Sequence, residues 1–136
     1  MKKVLLFLSI GIIGAVIFFQ YKNYAWQGKT DKVVIEFGDS KKFSREEIDA
    51  AMTCVLKEFE SFKGCTLQRL YYDESVSDRE FGSDNTKGIV LLSDYCVDVS
   101  YSGSDFQPDA KNVGFSWLLV RDRKSSEWEL KSCGYA

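Results

Sequence analysis

The side chain with most to say about chemistry is one the chain does not contain: its 136 residues include no histidine. Mechanisms in which imidazole activates a nucleophile, Ser–His and Cys–His alike, are therefore excluded, and so are zinc centres built on imidazole. Carboxylates are the remaining acid–base candidates. Asp94, Asp98, Asp105 and Asp109 fall in one stretch that is also rich in Ser and Gly. Oxygen-rich loops of this kind can hold calcium, but the spacing is not that of an EF-hand loop, and solvated turns account for it better; no metal site is expected. Asp73 and Glu74 form an adjacent pair at a strand end, yet neighbours on a strand point to opposite faces. No catalytic residue is assigned.

Aromatic side chains offer a binding chemistry instead. Tyr71, Tyr95, Trp117 and Trp128, with Asp94 among them, could line a ligand pocket in a cone-shaped sheet. The plainer alternative is that rings at alternate strand positions are core. Arg121 and Arg123, near a hairpin, read as solubilising charges. The four cysteines, Cys54, Cys65, Cys96 and Cys133, contain no C-x-x-C spacing, so neither a thioredoxin-type motif nor a zinc knuckle is indicated. In an oxidising compartment an even number suggests disulfides. Cys65–Cys96 is the first pairing expected, from neighbouring strands, and Cys54–Cys133 is left by elimination. Cys54–Cys65 is argued against: with a helix ending at Gly64, Cys54 lies about 9 Å further along the axis at the helical rise, and a disulfide needs Cα atoms within about 7 Å. Four small free thiols in the core are the alternative. No cofactor is expected.

The chain begins Met1-Lys2-Lys3, followed by sixteen nearly unbroken apolar residues from Val4 to Phe19. At the helical rise they cover about 24 Å, slightly less than a hydrocarbon core. Lys2 and Lys3 on one side and Tyr21, Tyr24 and Trp26 on the other suit the two interfaces. The best cleavage offer, Asn23-Tyr24-Ala25, is poor, and no lipobox is present, so an uncleaved signal-anchor is expected over a cleaved signal peptide. Residues 1–26 are read as that anchor, 27–32 as a tether and 33–136 as a single domain. The lysines place the N-terminus in the cytoplasm and the domain outside the cell membrane. The whole chain carries 18 basic and 20 acidic residues; four of the lysines and no acid precede Thr30, which leaves fourteen bases against twenty acids and a net charge of −6 beyond it. An acidic surface disfavours nucleic acid as a partner.

The elements that would carry these side chains read clearly in places. Val33 to Phe37 is a strand. Ser44 and Glu47 form a capping box, with Phe43 and Ile48 able to staple across it. Ile48, Met52, Val55, Phe59 and Phe62 then recur at helical spacing, which predicts a helix from about Arg45 to Lys63, ended by Gly64. Strand signals follow at Thr66–Tyr72, Ile89–Tyr101, Phe115–Arg121 and Glu127–Tyr135. The two connections, 73–88 and 102–114, read as long polar loops. The fold class expected is α+β: one long amphipathic helix packed on a curved antiparallel sheet, with Phe43, Leu67, Leu91, Val97, Trp117, Leu119 and Leu130 meeting the helix stripe.

The strings FSREEIDAAM, FKGCTLQRLYYDE, IVLLSDYCVDV and WLLVRDRKSSEWELKSCGY resemble a family of uncharacterised bacterial domains carried behind a membrane anchor or lipoprotein signal, within the nuclear-transport-factor-2-like (cystatin-like) superfamily. The resemblance covers roughly Lys32 to Tyr135. Its most specific part is Trp117-Leu-Leu-Val-Arg-Asp with Trp128-Glu-Leu and Gly134-Tyr135; Cys96 and Cys133 depart from the family's pattern. It implies a cone-shaped α+β fold and an envelope address, and no particular activity. The function expected is a non-catalytic extracytoplasmic binding or accessory domain whose partner is a protein or small molecule. The alternatives are a small hydrolase or isomerase using Asp94 or Asp98, and an envelope immunity or interaction protein that masks a partner surface.

Overall fold

The computed structural model describes residues 26–98 and 111–135. The expected anchor, Val4 to Phe19, lies outside the described residues, as do Asp105 and Asp109. Among the described residues no helix is long and apolar enough to cross a membrane. The elements run β1 (Val34–Glu36), α1 (Arg45–Phe59), β2 (Cys65–Tyr72), α2 (Glu74–Phe81), β3 (Gly88–Val97), β4 (Lys111–Val120) and β5 (Glu129–Gly134). The strands lie in one five-stranded sheet in chain order. The fold is α+β, but the sheet is not wholly antiparallel: β1 joins β2 in parallel, with Val34 opposite Arg69. The cause is α1, which intervenes between them; such a crossover returns the chain to the end from which it started.

α1 begins where its caps put it. The Ser44 hydroxyl accepts from the Glu47 amide at 3.1 Å, and the Ser44 amide donates back to the Glu47 carboxylate at 3.2 Å. Ile48, Ala51, Met52, Val55 and Phe59 form its buried stripe. The α-helix stops at Phe59, four residues short of the expected Lys63. Ser61 caps the Glu58 carbonyl with both its amide (3.2 Å) and its hydroxyl (2.8 Å), and tight turns then carry the chain to Gly64 at φ +76°. The stripe packs on one face of the sheet against Leu67, Leu70, Ile89, Leu91, Tyr95, Val97, Trp117 and Leu119, all buried; Phe62 and Leu130 border them half-buried. Each such side chain is worth about 1.5–3 kcal/mol of apolar burial.

The stretch read as a polar loop holds a second helix, α2. Asp73 is its N-cap, accepting from the Ser75 amide at 3.0 Å, and Gly82 follows it at φ +89°. Little apolar surface holds α2 down; polar clasps do. The Glu74 carboxylate accepts from the Ser40 hydroxyl, from the amides of Lys41 and Lys42 at 3.1 and 3.3 Å, and from the Tyr72 hydroxyl at 3.3 Å. Lys42 pairs with Asp78 at 2.7 Å, and the buried Ser77 hydroxyl accepts from the Val90 amide at 2.8 Å.

The segment read as a polar tether, 27–32, is hydrogen-bonded to the domain near its start. Gly64 donates to the Trp26 carbonyl, Gly28 to Glu60 and Lys29 to Cys65, at 2.8, 3.0 and 3.0 Å. Lys29 thereby forms a parallel bridge with Thr66. Gly28 is required: a Cβ there would sit 1.9 Å from the Phe59 carbonyl oxygen.

Candidate functional site

The five candidate pocket residues do not share a cavity. Tyr95 and Trp117 lie fully buried on the α1 side of the sheet. Around them Phe59, Phe62 and Phe115 close the space: Tyr95 meets these rings at centroid distances of 5.9, 6.0 and 5.4 Å. Trp117 lies 5.2 Å from Phe62 and 5.3 Å from Phe115, and its indole N–H donates to the buried Ser93 hydroxyl at 2.8 Å. This side of the sheet is filled by a ring cluster.

Asp94 and Tyr71 are on the other face of the sheet. Asp94 is the chain neighbour of Tyr95, and successive strand residues must point opposite ways. The Arg69 guanidinium lies 3.9 Å from the Tyr71 ring and 3.9 Å from the Asp94 carboxylate, and it hydrogen-bonds Glu36. Asp94 also accepts from the Gly114 amide at 3.0 Å. Its carboxylate is held by partners.

No disulfide joins the cysteines. The expected Cys65–Cys96 bridge fails on facing: Cys65 pairs with Val97 and Thr66 with Cys96 in the β2–β3 register, so the two thiols leave opposite sides of the sheet. Burial pushes the Cys65 thiol up to about 11, with Cys96 adding to it, which leaves it a core-filling group. Cys54 and Cys133 both lie toward the α1–β5 side of the domain and both sense the charge of Glu58, but each is a free thiol.

Trp128, the fifth candidate, sits at the rim of the core beneath Arg121, whose guanidinium is 4.1 Å from the indole. Its indole N–H donates to the Glu47 carbonyl at 3.1 Å. Arg121 is not a solubilising surface charge but a buried clasp, 6 % exposed. It donates to the Thr86 carbonyl at 2.8 and 3.0 Å, to the Lys124 carbonyl at 2.9 Å and to the Glu47 carboxylate. Burial alone would raise the pKa of Glu47; Arg121 and the Ser44 amide outweigh it and hold the carboxyl below its ordinary range.

Trp128 and Leu130 border an open groove of about 860 Å³, which runs between α1 and β5. Glu46, Glu58, Glu127 and Glu129 rim it against Lys57 and Lys124, while Glu47 is neutralised by Arg121. A smaller hollow of about 410 Å³ lies on the far face of the sheet, where Val76 and Arg79 of α2 overlook Val90, Leu118 and Tyr135. No cluster of metal-ligating side chains occurs among the described residues. The groove was not foreseen, because it depends on which strand forms the sheet edge beside α1. The one local hint was Cys54, a thiol at the margin of the helix stripe.

Comparison with family models, curated proteins and solved structures returns no match to this chain.

Proposed function

We propose that this chain is a membrane-anchored extracytoplasmic binding domain of the cone-shaped, nuclear-transport-factor-2-like kind, which recognises its partner on an outer surface and performs no catalysis. The observation that carries this reading is the ring cluster of Phe59, Tyr95, Phe115 and Trp117. It fills the sheet face that an enclosed active site would need, while the open space lies along the α1–β5 groove. The anchor rests on Lys2, Lys3 and the apolar run from Val4 to Phe19. A carboxylate hydrolase is the weaker reading, since Asp94 is occupied by Arg69 and Gly114. A small-molecule ligand on the far face is a second binding mode, favoured by the apolar lining of Val76, Val90 and Leu118.

The test is site-specific photo-crosslinking in intact cells followed by fractionation. A photoreactive residue at Leu130 or Ser126 should give a discrete adduct in the membrane fraction, and one at Arg69 should not. Adducts that form only from Arg69, or a chain recovered in a form starting near Trp26 in the soluble fraction, would overturn the reading.

A further inference from the structure

β5 is the last strand of the sheet, and its outer edge pairs with no other strand among the described residues. Open edges invite an added strand, and proteins usually blunt them with charges, prolines or bulges. β5 carries Lys131 and an irregular step opposite Leu118 and Leu119, but at one rung it is treated differently. The Cys54 thiol of α1 donates to the Trp128 carbonyl at a sulfur–oxygen distance of 3.7 Å; burial raises the pKa of this thiol, and the Leu130 backbone amide beside it acts the opposite way, as a donor to the sulfur would. Residues two apart on a strand present their backbone groups to the same side. The thiol thus meets one acceptor and one donor, as the peptide group of a neighbouring strand would. Sulfur is a weak donor and a weak acceptor, so this is a loose substitute that an amide can replace.

The surroundings suit an extended chain. Glu129, Lys131, Ser132 and Cys133 are exposed along β5, and α1 faces the Trp128–Leu130 end of the strand across the 860 Å³ groove. The groove's rim has four carboxylates against two lysines, in a domain that is itself acidic. Strand addition in a groove between a sheet edge and a helix is a recurrent way of binding peptides: the backbone supplies affinity, and alternate side chains supply selectivity.

We propose that the α1–β5 groove takes an extended peptide segment of a partner protein, bearing basic side chains at alternate positions, which adds to β5 as a sixth strand and displaces the Cys54 thiol from the Trp128–Leu130 rung. The proposal rests on the binding-domain reading and gives it the partner's chemistry.

The experiment uses the full chain and three synthetic probes: a peptide alternating lysine and threonine, the same peptide with alternate amides N-methylated, and one alternating glutamate and threonine. Binding is read by fluorescence polarisation and by amide exchange at Leu130 to Cys133. The lysine peptide should bind and slow exchange at those amides, and the N-methylated and glutamate peptides should not. Cys54→Ala removes the competing thiol and should tighten binding by about two- to fivefold, the worth of one weak hydrogen bond. Equal binding of the lysine and N-methylated peptides would overturn the proposal, because charge alone would then explain it. So would edge protection that appears without peptide and grows with protein concentration, which would make the occupant a second copy of the chain. Failure of all three probes while Leu130 still crosslinks in cells would overturn strand addition and leave the binding reading standing; failure of both would remove both.

Discussion

Arg121→Met is the most instructive single change. Methionine replaces the stem of the arginine but none of its donors. The Thr86 and Lys124 carbonyls and the Glu47 carboxylate lose their partner together, and the guanidinium leaves the Trp128 face. The side chains of the pair are 2 % and 17 % exposed, so water compensates little. Breaking a buried pair by removing one member costs about 3–5 kcal/mol. The unmet carbonyls and the lost cation–π contact belong to the same network and do not add in full. The expected loss is therefore about 3–5 kcal/mol, a large share of the roughly 5–15 kcal/mol that holds a domain of this size. Urea melts give the number. Glu47→Gln should cost about 1–2 kcal/mol, because the charge is lost and an acceptor stays, and the double variant should show coupling of about 1 kcal/mol or more. Because the folded carboxyl of Glu47 is held below its ordinary value of 4.5, the stabilisation is complete above that pH and is lost as pH falls through the lower folded value. Arg121→Met should flatten this part of the acid limb. A loss under about 1 kcal/mol with an unchanged acid limb would show that Arg121 is a surface charge after all.

Phe59→Ala should cost about 3–5 kcal/mol by opening the ring cluster and Ser44→Ala about 1 kcal/mol through the lost cap; melts giving the reverse order would mean that α1 buries another face. In alkylation at pH 8 the exposed Cys133 should react first and Cys65 last, since burial holds its thiol at about 11, so mass-spectrometric mapping with Cys65 among the early sites would contradict its packing. Gly28→Ala places a methyl against the Phe59 carbonyl and should undock the segment around Lys29, seen as faster tryptic cleavage at Lys29 or Lys32 with the sheet intact.

Local signals carried most of the fold. The Ser44–Glu47 capping box, the Ile48 to Phe59 stripe and the alternation through Ile89 to Val97 all act over a few residues, and each formed as its pattern implies. α2 was missed because Glu74 to Phe81 has almost no apolar stripe; the usable cues were Asp73 as N-cap and Gly82 as terminator. Parallel pairing of β1 follows from the crossover rather than from any residue in Val34 to Glu36. The pocket expectation could have been trimmed on paper, since Asp94 and Tyr95 are chain neighbours on a strand and cannot look into one cavity. Arg121 was beyond such reasoning. It sits beside the charged run Asp122-Arg123-Lys124, and its carboxylate partner, Glu47, is 74 residues away.

The bridge between Lys29 and Thr66 has a consequence for how the domain can stand. With the segment from Trp26 stitched to the Gly64 end, the seven steps from Phe19 to Trp26 are all the slack a bilayer-held helix would leave, about 25 Å at full stretch. In the anchored form proposed above, the Phe59–Cys65 end would be the one tethered nearer the lipid and the Ser44–Arg121 end the one further from it. α1 runs from one end to the other, with β5 beside it, so the groove would lead from the tethered end toward the free one, and a partner strand entering it would lie along that direction. The acidic rim would then extend from Glu58, beside the tethered end, to Glu46 and Glu127 at the end away from it.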